Sequence, residues 1–215
     1  MKSNQEQPQR SEWDIDNLPN RLTLFRVLLI PIIIGCLGFN LPTWGTLLPF
    51  QKTLGWIAAF IFSIAAITDF FDGHFARRRN IVTVFGSFLD PVADKFLVVS
   101  SIIMLLALER IPAVLVVILI LREMYITALR LLAVEKGLSI PVDHWGKYKT
   151  ATQMIAIPLL MAWDSPAGIP LPLIGSILIF VAAFLSLFSA LRYSVGLIAK
   201  FKIMRHQKLE QKNEQ

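Results

Sequence analysis

Four aspartates occupy two short patterns between hydrophobic segments, within the stretch ITDFFDGHFARRRNIVTVFGSFLDPVADK at residues 67–95. Asp69 and Asp72 are three residues apart, and Asp90 and Asp94 are four apart, so each pair lies on one face of a helix. The loop between the pairs is short, which predicts antiparallel helices and brings both pairs to the same membrane depth. We therefore predict that the four carboxylates converge on one site.

Converging carboxylates repel one another in a partly dehydrated site and take up protons unless a cation neutralises them. The first pair is also expected near a helix C-terminus, where the helix dipole disfavours an anion. An all-oxygen ligand set favours a hard divalent cation, and four carboxylates suffice for two ions, Mg²⁺ or Mn²⁺. A pair of such ions is typical of displacement at phosphorus, because the attacking and the leaving oxygen both need charge stabilisation.

The residues beside the aspartates fit a phosphorylated ligand. Gly73 and Ala76 lack bulk, so a ligand could approach the backbone closely, and Arg77 could form bidentate hydrogen bonds to a diphosphate. The alternative is that the carboxylates are simply solvated or ion-paired and that the arginine run is a topology signal. Two same-face aspartate pairs with small residues and an arginine between them argue against that alternative, although Arg78 and Arg79 still fit it.

The elements that position these residues follow from composition. The chain has 215 residues, of which 55% are hydrophobic and 17% charged, which is typical of a membrane protein. Spanning about 30 Å of hydrocarbon takes roughly 20 apolar residues in a helix, and helices satisfy their own backbone hydrogen bonds in lipid. We predict an all-α polytopic membrane protein with six transmembrane helices, at residues 22–39, 54–71, 91–108, 113–134, 150–163 and 173–198, the fifth beginning among the polar residues before it.

The distribution of lysine and arginine predicts the orientation. With six spans both termini share one side, and that side holds most of the basic residues, so the termini and the aspartate-rich loop are expected to be cytoplasmic. The net charge of +6 fits this bias and attraction to anionic lipid, so no nucleic-acid partner is needed. We divide the chain into a polar tail at 1–16, a membrane catalytic domain at 17–200 and a polar tail at 201–215. Within these two tails, residues 1–12 and 203–215 are expected to be disordered.

The complete pattern is DxxDGxxAR from Asp69, then eight residues, then GxxxDxxxD from Gly86. It resembles the signature of the CDP-alcohol phosphatidyltransferase family. The resemblance implies a six-helix membrane enzyme, usually a homodimer, with a site open to the cytoplasmic leaflet of the bacterial inner membrane. Such an enzyme transfers the phosphatidyl group of a CDP-linked lipid to an alcohol and releases CMP.

The resemblance also implies roles for single residues. The aspartates matching Asp69, Asp72, Asp90 and Asp94 hold the metal ions, and the one matching Asp94 is also the base that deprotonates the acceptor hydroxyl. Further positions of the signature shape the nucleotide and diphosphate site, and they match Gly73, Ala76, Arg77 and Gly86.

The acceptor is expected to bind elsewhere in the chain. The fourth span carries Arg122, Glu123 and Arg130, and charges at that depth should face the interior. Glu123 and Arg130 lie on nearly the same face, whereas Arg122 points about 100° away from Glu123 and should have a different partner. An interior ion-pair network would account for Glu123 with one arginine. Such a network does not account for the excess of positive charge among Arg122, Arg130, Lys147 and Lys149. This excess predicts an anionic acceptor such as an alcohol phosphate.

Three segments resemble the bacterial phosphatidylglycerophosphate synthase branch of the family, namely NLPNRLTLFRVLLIP, LREMYITALRLLAVEKG and GKYKTATQM. That resemblance implies CDP-diacylglycerol as donor and sn-glycerol 3-phosphate as acceptor. It also implies that Asn20, Thr23 and Arg26 lie near the nucleotide, although the same segment is a good helix start.

Two alternatives stay open from the sequence. The same chemistry could use another alcohol, such as inositol phosphate or serine. A divalent-cation transporter is the other alternative, but transporters usually place their ion site near the bilayer midplane, whereas these aspartates lie at one boundary beside arginines.

Overall fold

The computed structural model describes residues 18–41, 48–79, 84–136 and 144–213. Within these ranges the chain forms α-helices joined by short connections, with one 3₁₀ turn at Pro166–Gly168 and no β-strand. The helices are α1 (Leu18–Gly38), α2 (Leu48–Arg79), α3 (Val84–Ala107), α4 (Ala113–Glu135), α5 (His144–Ala162) and α6 (Leu171–Asn213).

Each of the six predicted apolar segments coincides with one of these helices, three of them extending one residue beyond its end, so the predicted all-helical class is confirmed. The fifth helix begins at His144, among polar residues, as expected. The sixth runs on to Asn213, so the expectation of a disordered tail from residue 203 is wrong for residues 203–213. The physical reason is that Lys, Leu, Glu and Gln are good helix formers, and extending an existing helix avoids the cost of nucleating a new one.

The helices around the aspartate motif are longer than the hydrophobic segments alone indicate. α2 continues to Arg79, so Asp69 and Asp72 do not lie in its last turn, where the dipole effect is concentrated. α3 begins at Val84, so Asp90 lies inside the helix and does not cap it. The placement of the first pair at a helix C-terminus was therefore wrong, and the motif lies on helical backbone on both sides of residues 80–83.

The chain divides into two compact units, residues 1–101 and 102–215, and each is described by itself. In the first unit α1 packs against α2. Fully buried side chains include Leu37 on α1 and Phe62 on α2. After α1, Asn40 donates a hydrogen bond from Nδ2 to the carbonyl oxygen of Gln51, at 3.4 Å, which ties the end of α1 to the start of α2.

In the second unit α6 packs against both α4 and α5. The α4 residues Arg122 and Tyr125 hydrogen-bond to Ser186 and Ser194 of α6 respectively, so residue numbers rise together and these helices are parallel. Apolar packing between α4 and α6 continues beyond these contacts. This cluster comprises Ile126, Leu129, Ala133, Ala190, Tyr193, Leu197 and Phe201.

Glycines give the register of α5 against α6. A Cβ atom on Gly146 would lie 3.5 Å from Ser189 Oγ, and a Cβ atom on Gly175 would lie 2.8 Å from Leu160 Cγ. Low residue numbers on α5 therefore face high ones on α6, and the two helices are antiparallel. Small residues allow this close approach of helix backbones, as is common in membrane proteins.

The connection from α3 to α4 is tied to the end of α5 by Arg110. Its Nη1 donates hydrogen bonds to the carbonyl oxygens of Leu160 (3.0 Å) and Met161 (2.6 Å), and its guanidinium lies 5.2 Å from the centroid of the Trp163 ring. Burial lowers the pKa of Arg110 to about 10, so the side chain stays charged at neutral pH. A cation at these carbonyls stabilises the negative end of α5.

Two helices in the described part are long and apolar enough to cross a membrane by length and composition. These are Phe50–Thr68 within α2 and Leu171–His206 within α6, and the shorter apolar stretches Leu24–Gly38 and Lys95–Ala107 lie on α1 and α3. α6 has 43 residues, which corresponds to about 64 Å of helix, more than twice the thickness of the hydrocarbon core. Part of α6 must therefore extend beyond the apolar layer if it spans it.

Candidate active site

The aspartate motif lies on two helices. Asp69 and Asp72 are on α2, together with Gly73, Ala76 and Arg77, and Gly86, Asp90 and Asp94 are on α3. Both aspartate pairs fall on continuous helical backbone, so the spacing of three and four residues does place each pair on one helix face. The side chains of these aspartates, of Ala76 and of Arg77 lie outside the described part of the structure, and convergence of the carboxylates stays a prediction.

The predicted metal site depends on the side chains of the same four aspartates. Among the side chains that are described, no three His, Cys, Asp or Glu residues come together in a way that could hold a metal ion. The donor set of the motif is all-oxygen and anionic, which is the chemistry that Mg²⁺ and Mn²⁺ prefer. The four aspartates thus fit a divalent ion by donor type and by helix face.

The N-terminal candidates lie on α1. Asn20, Thr23 and Arg26 follow one another at intervals of three residues on this helix, so they share a face. Arg26 is only 2% exposed. The side chains of Asn20 and Thr23 lie outside the described part, and their role near the nucleotide stays a prediction.

Glu123 of α4 links two of the predicted acceptor-binding residues. Its Oε2 accepts a hydrogen bond from Lys149 Nζ of α5 at 2.7 Å and one from Arg122 Nη1 at 3.2 Å. The side chains of Lys149 and Arg122 are 6% and 9% exposed, and that of Glu123 is 30% exposed. One carboxylate therefore holds two nearly buried cations close together.

Arg122 has a second set of partners on α6. Its Nε donates to the carbonyl oxygen of Ser186 at 3.1 Å, and its Nη2 donates to Ser189 Oγ at 3.0 Å. The prediction that Arg122 has partners other than Glu123 is confirmed for these two nitrogens. It is wrong for Nη1, because the flexible side chain turns back along the helix surface to reach its neighbour Glu123.

The other two predicted acceptor residues are placed differently. Arg130, eight residues further along α4, is exposed, and so is Lys147, two residues before Lys149 on α5. Two residues correspond to about 200° around a helix, so Lys147 and Lys149 point to nearly opposite sides. Arg122 and Lys149 therefore form the inner part of the predicted set, and Arg130 and Lys147 lie on its surface.

The inner group consists of two cations and one carboxylate. Two cations share one carboxylate, so Arg122, Glu123 and Lys149 together carry a formal charge of +1. Breaking a buried pair by removing one partner typically costs about 3 to 5 kcal/mol, because the remaining charge is left in a poorly solvated place. Glu123 holds Arg122 and Lys149 together, and both are side chains of the kind that bind a phosphate.

Three residues that contact Arg122 or lie beside it, Gly146, Ser186 and Ser189, are absent from the set predicted from sequence. Ser186 and Ser189 are fully or almost fully buried on α6. A signal for them exists in the sequence, since Ala182, Ala183, Ser186, Ser189 and Ala190 form a stripe of small residues within an otherwise bulky apolar helix. Such a stripe indicates close helix packing, but it does not reveal which arginine the serines contact.

Comparison with known proteins identifies the family. Residues 16–195 match the CDP-alcohol phosphatidyltransferase family. A protein of Shigella flexneri serotype 5b is 46% identical over 187 residues, covering 82% of this chain and 92% of its own length. Proteins of Bacillus subtilis and Rickettsia felis are each 38% identical, over 185 and 178 residues, covering 82% of this chain and 93% of their own lengths.

All three relatives carry the name CDP-diacylglycerol–glycerol-3-phosphate 3-phosphatidyltransferase. The family match spans the aspartate motif on α2 and α3 and the basic group on α4 and α5. On this evidence the chain belongs to the CDP-alcohol phosphatidyltransferase family.

Proposed function

We propose that this protein transfers the phosphatidyl group of CDP-diacylglycerol to sn-glycerol 3-phosphate, giving phosphatidylglycerophosphate and CMP. Family membership supports the donor chemistry, and the names of the relatives point to the acceptor. The observation that carries the acceptor assignment is that two nearly buried cations, Arg122 of α4 and Lys149 of α5, are held together at Glu123. Arginine and lysine side chains are the usual ligands of a phosphate, so an acceptor that carries a phosphate fits this place.

The acceptor phosphate is assigned to the basic residues of α4 and α5. Lys149 and Arg122 would bind it from within the group, while the exposed Arg130 and Lys147 would draw it in from the surface. A phosphate held in this way fixes the position of the hydroxyl at the other end of the small acceptor. Such positioning lowers the barrier because the entropy of alignment is already lost on binding.

The CDP-lipid is assigned to α1, α2 and α3. Small residues let the diphosphate approach the helix backbone, and Arg77 would bind it with two hydrogen bonds. The full set proposed for the CDP-lipid is Asn20, Thr23, Arg26, Gly73, Ala76, Arg77 and Gly86. Asp69, Asp72, Asp90 and Asp94 would hold two divalent ions, Mg²⁺ or Mn²⁺, which when bound supply charge neutralisation at the diphosphate.

The reaction is a single in-line displacement. Asp94 takes the proton of the acceptor hydroxyl, and the oxygen attacks the lipid-side phosphorus of CDP-diacylglycerol. A new bond between oxygen and phosphorus forms as the bond to the CMP oxygen breaks, and CMP leaves as an anion next to Arg77. The proton stays on Asp94 until solvent removes it, so atoms and charge balance without a covalent enzyme intermediate.

The proposal places the protein in the bacterial inner membrane with six spans and both termini in the cytoplasm, as a homodimer with its site on the cytoplasmic side. The membrane placement is supported by the apolar helices, by the distribution of Lys and Arg along the chain, and by the length of α6. The homodimer is proposed only from the family resemblance. In this orientation the polar end of α6 extends into the cytoplasm.

The proposed function is tested by release of CMP from CDP-diacylglycerol by the purified protein, with and without sn-glycerol 3-phosphate and Mg²⁺. We expect release only when both are present, and a panel with inositol phosphate and serine should show preference for glycerol 3-phosphate. CMP release that is equally fast with serine would refute the acceptor assignment.

The role of Asp94 is tested by Asp94→Asn, which should abolish turnover and leave binding of CDP-diacylglycerol largely intact. Normal activity of this variant would refute the assignment of the base. The direct route also predicts that labelled CMP does not exchange into CDP-diacylglycerol in the absence of acceptor. Exchange without acceptor would indicate a covalent phosphatidyl intermediate.

A further inference from the structure

Arg122 of α4 forms hydrogen bonds to two residues of α6. An arginine side chain has five N–H donors in a planar arrangement. In the described part of the structure three of them have partners, because Nε binds the Ser186 carbonyl oxygen, Nη2 binds Ser189 Oγ, and Nη1 binds Glu123 Oε2. One N–H on Nη1 and one on Nη2 remain beyond these three bonds.

Both α6 acceptors lie on the same edge of the guanidinium. They are three residues apart on one helix, so they present two oxygens side by side to the planar side chain. A lysine at position 122 could not use this pair in the same way, since an ammonium group is compact and has no fixed fork of donors. The contact therefore fixes the plane of the guanidinium as well as its position.

α5 also lies next to the contact between Arg122 and Ser189. The Cα of Gly146 is so close that a Cβ atom there would lie 3.5 Å from Ser189 Oγ and 4.0 Å from Arg122 Nη2. A methyl group at these distances makes ordinary van der Waals contact, but any larger side chain would have to displace the hydroxyl or the guanidinium. Gly146 thus leaves Arg122 just enough room to reach α6.

We propose that Ser189, through its hydroxyl, and Ser186, through its carbonyl, are positioning residues that orient Arg122 so that its remaining N–H groups bind the phosphate of the acceptor. The inference rests on the proposed function, in which Arg122 binds that phosphate. It extends the acceptor site to α6, a helix that supplies none of the charged residues assigned to the acceptor. Two N–H groups on Nη1 and Nη2 are the pair that a phosphate accepts from in bidentate fashion.

The test is Ser189→Ala, measured by CMP release with each substrate varied in turn. Losing one hydrogen bond to a charged group should raise the KM for glycerol 3-phosphate about tenfold, with the KM for CDP-diacylglycerol changed less than about twofold. The matched control is Ser176→Ala, another α6 serine, whose hydroxyl donates to the Pro172 carbonyl oxygen of its own helix and to no other residue that the structure describes. It should leave both KM values as in the unchanged protein.

A second variant separates positioning from general packing. If Ser189 acts through the guanidinium, adding Ser189→Ala to Arg122→Lys should change the acceptor KM by less than about twofold further, because the fork it orients is already gone. A tenfold effect in that background would overturn the proposal, and so would equal increases in both KM values or an unchanged acceptor KM in Ser189→Ala. Failure of the unchanged protein to use glycerol 3-phosphate would be seen first, and it would refute the proposed function itself.

Discussion

The close packing of α5 against α6 predicts that Gly175→Ala destabilises the protein. A Cβ atom on Gly175 would lie 2.8 Å from Leu160 Cγ, 3.1 Å from Leu160 Cδ2 and 3.3 Å from the Ala156 carbonyl oxygen. Favourable contact between carbon atoms begins at about 3.5 Å, so the methyl group requires a displacement of roughly 0.7 Å. Leu160 is fully buried and Ala156 O belongs to the helix backbone, so the displacement must move α5 relative to α6.

The magnitude follows from two opposing terms. Overpacking a tightly packed contact costs about 1 to 3 kcal/mol. Replacing glycine by alanine inside a helix contributes a stabilisation of about 1 kcal/mol. A second glycine of α6 isolates the packing term, because a Cβ atom on Gly196 would meet nothing within 4 Å. Gly175→Ala should therefore be less stable than Gly196→Ala by about 1 to 3 kcal/mol, the propensity term being common to both.

The assay is equilibrium unfolding of both variants and the unchanged protein in the same detergent micelles, by titration with a denaturing detergent. We expect Gly196→Ala to unfold at the same or a higher concentration than the unchanged protein, and Gly175→Ala at a lower one. Equal stability of the two variants would show that α5 and α6 are not in contact at Gly175. The antiparallel register that brings Gly146 next to Ser189 would then lose its support.

Further predictions concern charge and burial. Arg110→Ala should lower the free energy of unfolding by about 2 kcal/mol or more, since hydrogen bonds from a charged group are lost. Because the pKa of Arg110 is about 10, the side chain is charged at both pH 6 and pH 8.5. Thermal unfolding should therefore show the same loss of stability at the two pH values. Ser186→Ala should raise stability by about 1 kcal/mol, because this buried Oγ has no hydrogen-bond partner among the described residues. Glu123→Gln should lower the free energy of unfolding by about 3 kcal/mol, because Arg122 and Lys149 lose their shared carboxylate. Equilibrium unfolding at constant pH would check the Ser186 and Glu123 variants. Removing divalent cations with a chelator should abolish CMP release, and Mg²⁺ or Mn²⁺ should restore it.

The helices were predictable from the sequence because hydropathy is a local property. A long apolar run that crosses lipid forms a helix because only a helix satisfies its own backbone hydrogen bonds there, and all six predicted segments match helices to within one residue. Helix ends were less predictable, since polar residues with good helix propensity can extend a helix beyond its apolar part. This is why α2 reaches Arg79 and α6 reaches Asn213.

The aspartate pattern was sufficient to indicate the family, and the match over residues 16–195 confirmed it. That pattern can be recognised without a structure because its positions are defined by residue type and by short spacings along the sequence. The basic residues of the second unit were also recognisable, since arginine, glutamate and lysine are conspicuous among apolar residues. Their types and charges predicted an anionic acceptor.

Which of these charges meet depends on contacts between helices that are far apart in the chain. Lys147 and Lys149 look alike in sequence, yet Lys149 is buried against Glu123 of α4, 26 residues away, and Lys147 is exposed. Arg122 meets Ser189 across 67 residues, through a register between α4 and α6 that neither segment encodes alone. Residue type and local spacing indicated what chemistry this chain could carry, whereas the packing of α4, α5 and α6 determined which of its charged side chains are buried and in contact.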